Sequence, residues 1–198
     1  MNLPELAKRA TENYVREREI ISLPGNLPKE FLEKKAGAFV TIEKSEDSEG
    51  LFHSQEKLSL RGCIGTYLPT RKNIAEEIIF NSIAAATEDY RFGPIREEEL
   101  SCLRYTVYIL NEPELVEDIK SLDPKKYGII IKTIPIVSPD KTDVVFDGHH
   151  TSKSGLLLPD LEGVDTVEKQ ISITCQKGGI DPVWEKFSIY RFTVEKYQ

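Results

Sequence analysis

Strand-like and helix-like stretches of this chain follow one another without the strand–helix–strand rhythm that a parallel sheet requires. Leu103 to Leu110 sets Leu103, Tyr105, Val107 and Ile109 against Arg104, Thr106, Tyr108 and Leu110, and Asn111-Glu112-Pro113 stops it. Phe39 to Ile42 is β-rich and passes through a polar stretch, Lys44 to Gly50, toward a second strand at Lys57, the pattern of an antiparallel pair. Gly128 to Ile131, Val144 to Phe146, Gly155 to Leu158 and Ser188 to Val194 read as further strands. Helical spacing covers Leu3 to Ile21, a short turn after Pro28, a run from near Arg71 to Thr87 that Thr70 is placed to cap, and Thr166 to Lys177. The expected fold is α+β, with a mixed or mainly antiparallel sheet and flanking helices.

Within that frame, Leu60-Arg61-Gly62-Cys63-Ile64-Gly65 concentrates unusual chemistry in six residues. A strand running on from Lys57 puts Leu58, Leu60, Gly62 and Ile64 on one face, and Ser59, Arg61, Cys63 and Gly65 on the other. The apolar set is the expected core face. Arg61 and Cys63 then share the opposite face, with Cα atoms about 6.6 Å apart by strand rise. A guanidinium held there favours the thiolate and a more nucleophilic sulfur. The two glycines weaken a strand and mark a bulge, a bend or a close approach of ligand or backbone. The same residue types equally describe a buried, inert cysteine beside an arginine in a structural ion pair. Downstream, Asn81 falls in mid-helix, where its amide faces solvent or satisfies buried backbone.

Charge excludes some classes of function. The chain of 198 residues has a formal net charge of −7, and residues 1 to 100 carry 14 basic and 18 acidic side chains, so neither half is basic. Duplex DNA and anionic membranes are therefore not expected partners, because clustered Lys and Arg supply most of that affinity. Cys63, Cys102 and Cys175 are too few and too far apart for a disulfide framework or a zinc knuckle. Cys102 and Cys175 read as core. With no signal-peptide pattern at Met1 and no membrane-spanning run, a cytoplasmic setting is the expectation.

The six-residue motif, its spacing to Ile83-Ala84-Ala85-Ala86 and Arg91-Phe92, the Gly155 to Pro159 segment and the ending Ile189-Tyr190-Arg191-Phe192 together resemble the AMMECR family. The similarity runs from about Leu3 to Tyr197, nearly the whole chain, as one domain of two interlocked lobes. The resemblance implies two unequal lobes with the motif strand lining a groove between them. It assigns no reaction, and it implies protein partners of the Memo-like or radical-SAM kind, which neighbour prokaryotic members. Carried over by position, the residues it marks are Leu60, Arg61, Gly62, Cys63, Ile64 and Gly65, with Asn81, Arg91 and Phe92 downstream. Glu88 stands where many members have a histidine, and Gly148-His149-His150 is a local peculiarity.

The candidate site therefore comprises Cys63 as nucleophile, with Leu60, Arg61, Gly62, Ile64, Gly65, Asn81, Asp89, Arg91 and Phe92 as ligand-binding residues. No cofactor and no metal is implied. His53, His149 and His150, the only histidines, read as loop residues and not as bases for Cys63. Glu97-Glu98-Glu99 reads as a solvated helix start or loop. Three functions follow. The first is a binding module that holds a small anionic ligand or a protein partner. The second is an enzyme in which Cys63 attacks and Arg61 binds an anionic group. The third is RNA binding in a local basic groove.

Overall fold

The structure is a computed structural model and describes residues 1–46, 57–134 and 152–198. His53, the strand expected at Val144 to Phe146, and Asp147 to His150 lie outside the described residues. The chain forms two compact units. One comprises Met1–Leu110 with Glu195–Gln198, and the other Asn111–Val194.

The first unit begins with α1 (Leu3–Glu17), capped by the Asn2 side chain, which accepts a hydrogen bond from the Glu5 N–H. Helical spacing continues to Ile21, yet the helix ends at Glu17. Arg18 adopts the left-handed conformation, φ 61°, and its N–H closes on the Tyr14 carbonyl. A short helix, α2 (Lys29–Glu33), follows. Then β1 (Ala38–Glu46) and β2 (Lys57–Thr66) pair antiparallel, and α3 (Ile74–Thr87) follows β2. Asn73, not Thr70, caps α3 by accepting from the Glu76 N–H at 2.9 Å, while Thr70 is held by Glu77. A 3-10 turn (Glu97–Cys102) leads into β3 (Leu103–Leu110), which pairs antiparallel with β1. The strand order is β2-β1-β3-β8, where β8 is Val194–Tyr197. Leu3, Leu6, Ala7 and Ala10 of α1 and Ile74, Ile78, Ile79 and Ile83 of α3 share one core with Val40, Ile42, Tyr105, Val107 and Ile109 of the sheet.

The second unit holds β4 (Glu114–Leu115), a 3-10 turn (Ile119–Ser121), β5 (Gly128–Thr133), β6 (Ser154–Leu157), α4 (Val167–Gly178) and β7 (Phe187–Phe192). Its sheet runs β4-β7-β5-β6, with antiparallel pairing at every interface. Ile129 and Ile131 of β5 pack with Cys175 of α4, Ile180 and Ile189 in its core. Gly155 has no room for a side chain, because a Cβ there would strike the Thr174 carbonyl of α4. The expected final strand, Ser188 to Val194, is two strands broken at Thr193, whose carbonyl accepts the Asn111 N–H at 3.0 Å. The fold is thus α+β with antiparallel pairing and flanking helices, as expected, and its strands divide between two sheets.

Candidate functional site

The register of β2 against β1 determines what each motif residue faces. Pairing runs Thr41 with Cys63 and Ile42 with Gly62, then jumps to Glu43 with Leu60, so Arg61 is an extra residue, a β-bulge. Because side chains alternate with period two, a one-residue insertion exchanges the faces of everything upstream of it. Leu58 and Leu60 are consequently 41% and 40% exposed, and Leu60 shares the outer face with Thr41, Glu43 and Cys63. The expectation of one core face running from Leu58 to Ile64 is thereby corrected. Only Gly62 and Ile64 hold to it, on the face of Val40 and Ile42. Gly62 is obligatory there, since a Cβ would collide with the Ala85 carbonyl of α3. Gly65 is equally tight against the Phe39 ring and the Ala38 carbonyl.

The bulge also separates Arg61 from Cys63, which were expected to point the same way. Arg61 turns to Glu99 and donates from Nε to Oε1 at 2.9 Å and from Nη2 to Oε2 at 3.0 Å. Its remaining reach goes to the Gly93 carbonyl (2.9 Å) and the Pro94 carbonyl (3.2 Å). Both side chains of this pair are only 14% exposed. Glu99 also accepts from Lys44 Nζ (3.4 Å) and the Arg96 N–H (3.0 Å). The Arg61 hydrogen bonds, with Arg96 and Lys44 adding to them against burial, hold its carboxyl at about 2. The third glutamate of Glu97-Glu98-Glu99 is therefore no solvated residue. It is the clamp on Arg61.

Cys63 is surrounded by other groups. Asp89 Oδ2 accepts the Cys63 N–H at 2.8 Å, and Arg91 Nη2 donates to the Cys63 carbonyl at 3.5 Å. Arg91 in turn grips Asp89 through Nε (2.9 Å) and Nη2 (2.7 Å). Together the two side chains occupy the outward backbone groups of Cys63 on an edge strand, a position that otherwise invites strand pairing. Asp89 is buried and its carboxyl is held at about 2, chiefly by the Arg91 hydrogen bonds, with the Cys63 N–H adding to them against burial. The same hydrogen bonds push the Arg91 guanidinium up. The thiol accepts a hydrogen bond from the Thr41 hydroxyl at 3.3 Å. Arg91 lies 5.4 Å from the centre of the Phe92 ring, and Tyr90, between Asp89 and Arg91 in the chain, is 96% exposed.

Asn81 and Glu77 fasten the other end of the motif. Asn81 Nδ2 donates to the Ala38 carbonyl at 2.9 Å, so this buried amide satisfies backbone opposite Thr66. Burial opposes the charge of Glu77, but the Thr66 and Thr70 hydroxyls and the Thr70 and Arg71 N–H groups outweigh it and keep the carboxyl below the usual range. Thr41, Glu77 and Glu99 escape sequence reasoning because each depends on a partner at least six residues away. Cys175 is core, as read, while Cys102 is half-exposed at the end of its 3-10 turn. Among the described residues no group of His, Cys, Asp or Glu is arranged to hold a metal ion, and no helix is long and apolar enough to cross a membrane.

Fold and site together define an α+β protein whose motif strand is cross-braced by two arginine–carboxylate pairs. The family model AMMECR1 matches residues 4–197, and the chain belongs to the AMMECR1 family. A protein of Thermotoga maritima is 47% identical over 193 residues, covering 97% of this chain and 94% of the relative. A Clostridium acetobutylicum protein is 37% identical over 195 residues, covering 98% of this chain but 35% of its own length. The crystal structure of the uncharacterised protein PH0010 from Pyrococcus horikoshii is similar at a TM-score of 0.76 and 29% identity, covering 98% of this chain and 88% of that one.

Proposed function

We infer that the chain is a binding module whose braced β2 strand serves as a rigid platform for a protein partner. The observation that carries this reading is the bulge. It leaves Leu58 and Leu60 exposed on an edge strand, with Tyr90 exposed on the segment that supplies the Asp89 and Arg91 brace. Aliphatic and aromatic side chains on a fixed backbone lose little further entropy on binding. A protein fits better than a small anion, because Arg61 and Arg91 each already hold a carboxylate. The Clostridium relative adds support, since there the matching region is about one third of a longer polypeptide.

A second reading has its own support. The Thr41 hydroxyl touches Cys63 Sγ and Arg91 lies beside the same residue, an environment in which a thiol could attack a bound electrophile. A photo-crosslinking residue in place of Leu60, introduced in the native host, separates the two. A discrete protein adduct that survives Cys63→Ala and disappears in Leu58→Lys/Tyr90→Lys is the expected result. No adduct from position 60 would rule the platform out, and loss of host function in Cys63→Ala with the adduct intact would favour chemistry at the thiol.

A further inference from the structure

The second unit carries an exposed aromatic knob beside an apolar recess, and neither belongs to the site around Cys63. The recess has a volume of about 510 Å³ and lies along α4. Ile171 and Cys175, one helical turn apart, contribute from α4 with Ser172 and Gln176, and Ile180 and Pro182 line it from beyond the helix. Among the described residues, Glu168 is its one charged residue. Directly after Pro182 come Val183, 77% exposed, and Trp184, 81% exposed, the sole tryptophan of the chain.

The turn that displays them is fixed. Asp181 Oδ1 accepts the Val183 N–H at 2.9 Å and the Asp181 carbonyl accepts the Glu185 N–H at 2.9 Å. Glu185 Oε2 takes the Asp181 N–H at 2.8 Å and is ion-paired to Lys153 at 2.9 Å. Hydrogen bonds at both ends of a five-residue turn pre-pay the ordering that binding would otherwise demand, which is the arrangement expected where an aromatic anchor is presented to another surface.

We propose that this face is a self-association surface on which Trp184 of one copy enters the α4 recess of a second copy of the chain. Knob and recess occur side by side on one unit, and two such surfaces satisfy each other under a two-fold axis. Charge agrees with that pairing: exposed Lys186, two residues past the knob, meets the partner copy's Glu168 at the recess. Each tryptophan covers about 150–250 Å². Two of them with the recess walls stay below the ~1,200 Å² of a standard interface, so the association is weak and concentration-dependent.

The test uses the full chain and its single tryptophan as reporter. Trp184 emission and sedimentation are followed from about 1 µM to about 1 mM protein. The expected result is a blue shift of emission and a rise toward dimer mass with concentration. Trp184→Ala and Ser172→Arg change exposed positions and should both leave monomer throughout. Lys186→Glu should weaken association about tenfold, and Glu168→Lys combined with it should restore it. Emission and mass that do not change with concentration overturn the proposal. So does association that persists in Trp184→Ala or Ser172→Arg, or a charge swap that fails to rescue.

Discussion

Gly62 and Gly93 are two glycines of the same neighbourhood with opposite requirements. A Cβ at Gly62 strikes the Ala85 carbonyl, which α3 cannot move without leaving the sheet, whereas a Cβ at Gly93 meets nothing within 4 Å. Gly62→Ala should therefore lower stability by about 2–3 kcal/mol. Gly93→Ala should be neutral or stabilising by about 0.5 kcal/mol, because the unfolded chain loses freedom and the folded one loses nothing. Urea unfolding of the two variants checks both. The Asp89 side chain is a similar case. Asp89→Ala strips acceptors from the Cys63 N–H and from Arg91, and should cost about 2 kcal/mol. Exchange of the Cys63 amide, measured by NMR, should accelerate more than that of Ile64, since only the former loses its acceptor.

At the scale of elements, the alternation of Leu103 to Ile109 was readable because β3 carries no insertion and one face of it is core. The pairing of β1 with β2 was readable from composition, and so were α3 and its apolar stripe from Ile74 to Ala86. The faces of β2 were not. Period-two reasoning assumes unbroken pairing, and although Gly62 marks a bulge, a bend or a close approach, it does not say which, nor that Arg61 is the residue β1 skips. Once it is skipped, Arg61 swings to Glu99 and Cys63 is left with Thr41, Asp89 and Arg91, so one bulge whose position the sequence does not specify overturned the expected Arg61–Cys63 pair. Local chemistry likewise misplaced the start of α3. Thr70 and Asn73 are both capping residues, and only the approach of Glu77 to Thr70 decides between them. Glu77→Gln should consequently loosen residues 66–71 without unfolding α3, seen as faster amide exchange at Thr70 and Arg71 alone.

For the whole molecule, the two carboxylates of the braces contribute to acid sensitivity. Asp89 and Glu99 sit at about 2 when folded, against about 4 for unfolded Asp and Glu. Their contribution is fully present above about pH 5 and is lost as pH falls through 4 toward 2, because the unfolded chain takes up protons first. Urea midpoints of the parent protein should drop over that interval, and those of Asp89→Asn/Glu99→Gln should start lower and fall less. The proposed platform requires the braces to hold β2 in its bulged register, with the leucines outward and Arg61 turned to Glu99. The measurement that reaches this most directly is equilibrium unfolding of Leu58→Lys/Leu60→Lys beside Ile42→Ala. With the leucines on the outer face, the double variant should stay within about 1 kcal/mol of the parent while Ile42→Ala loses about 3 kcal/mol. A loss in the double variant as large as that of Ile42→Ala would put Leu58 and Leu60 in the core and contradict the bulged register on which the platform rests.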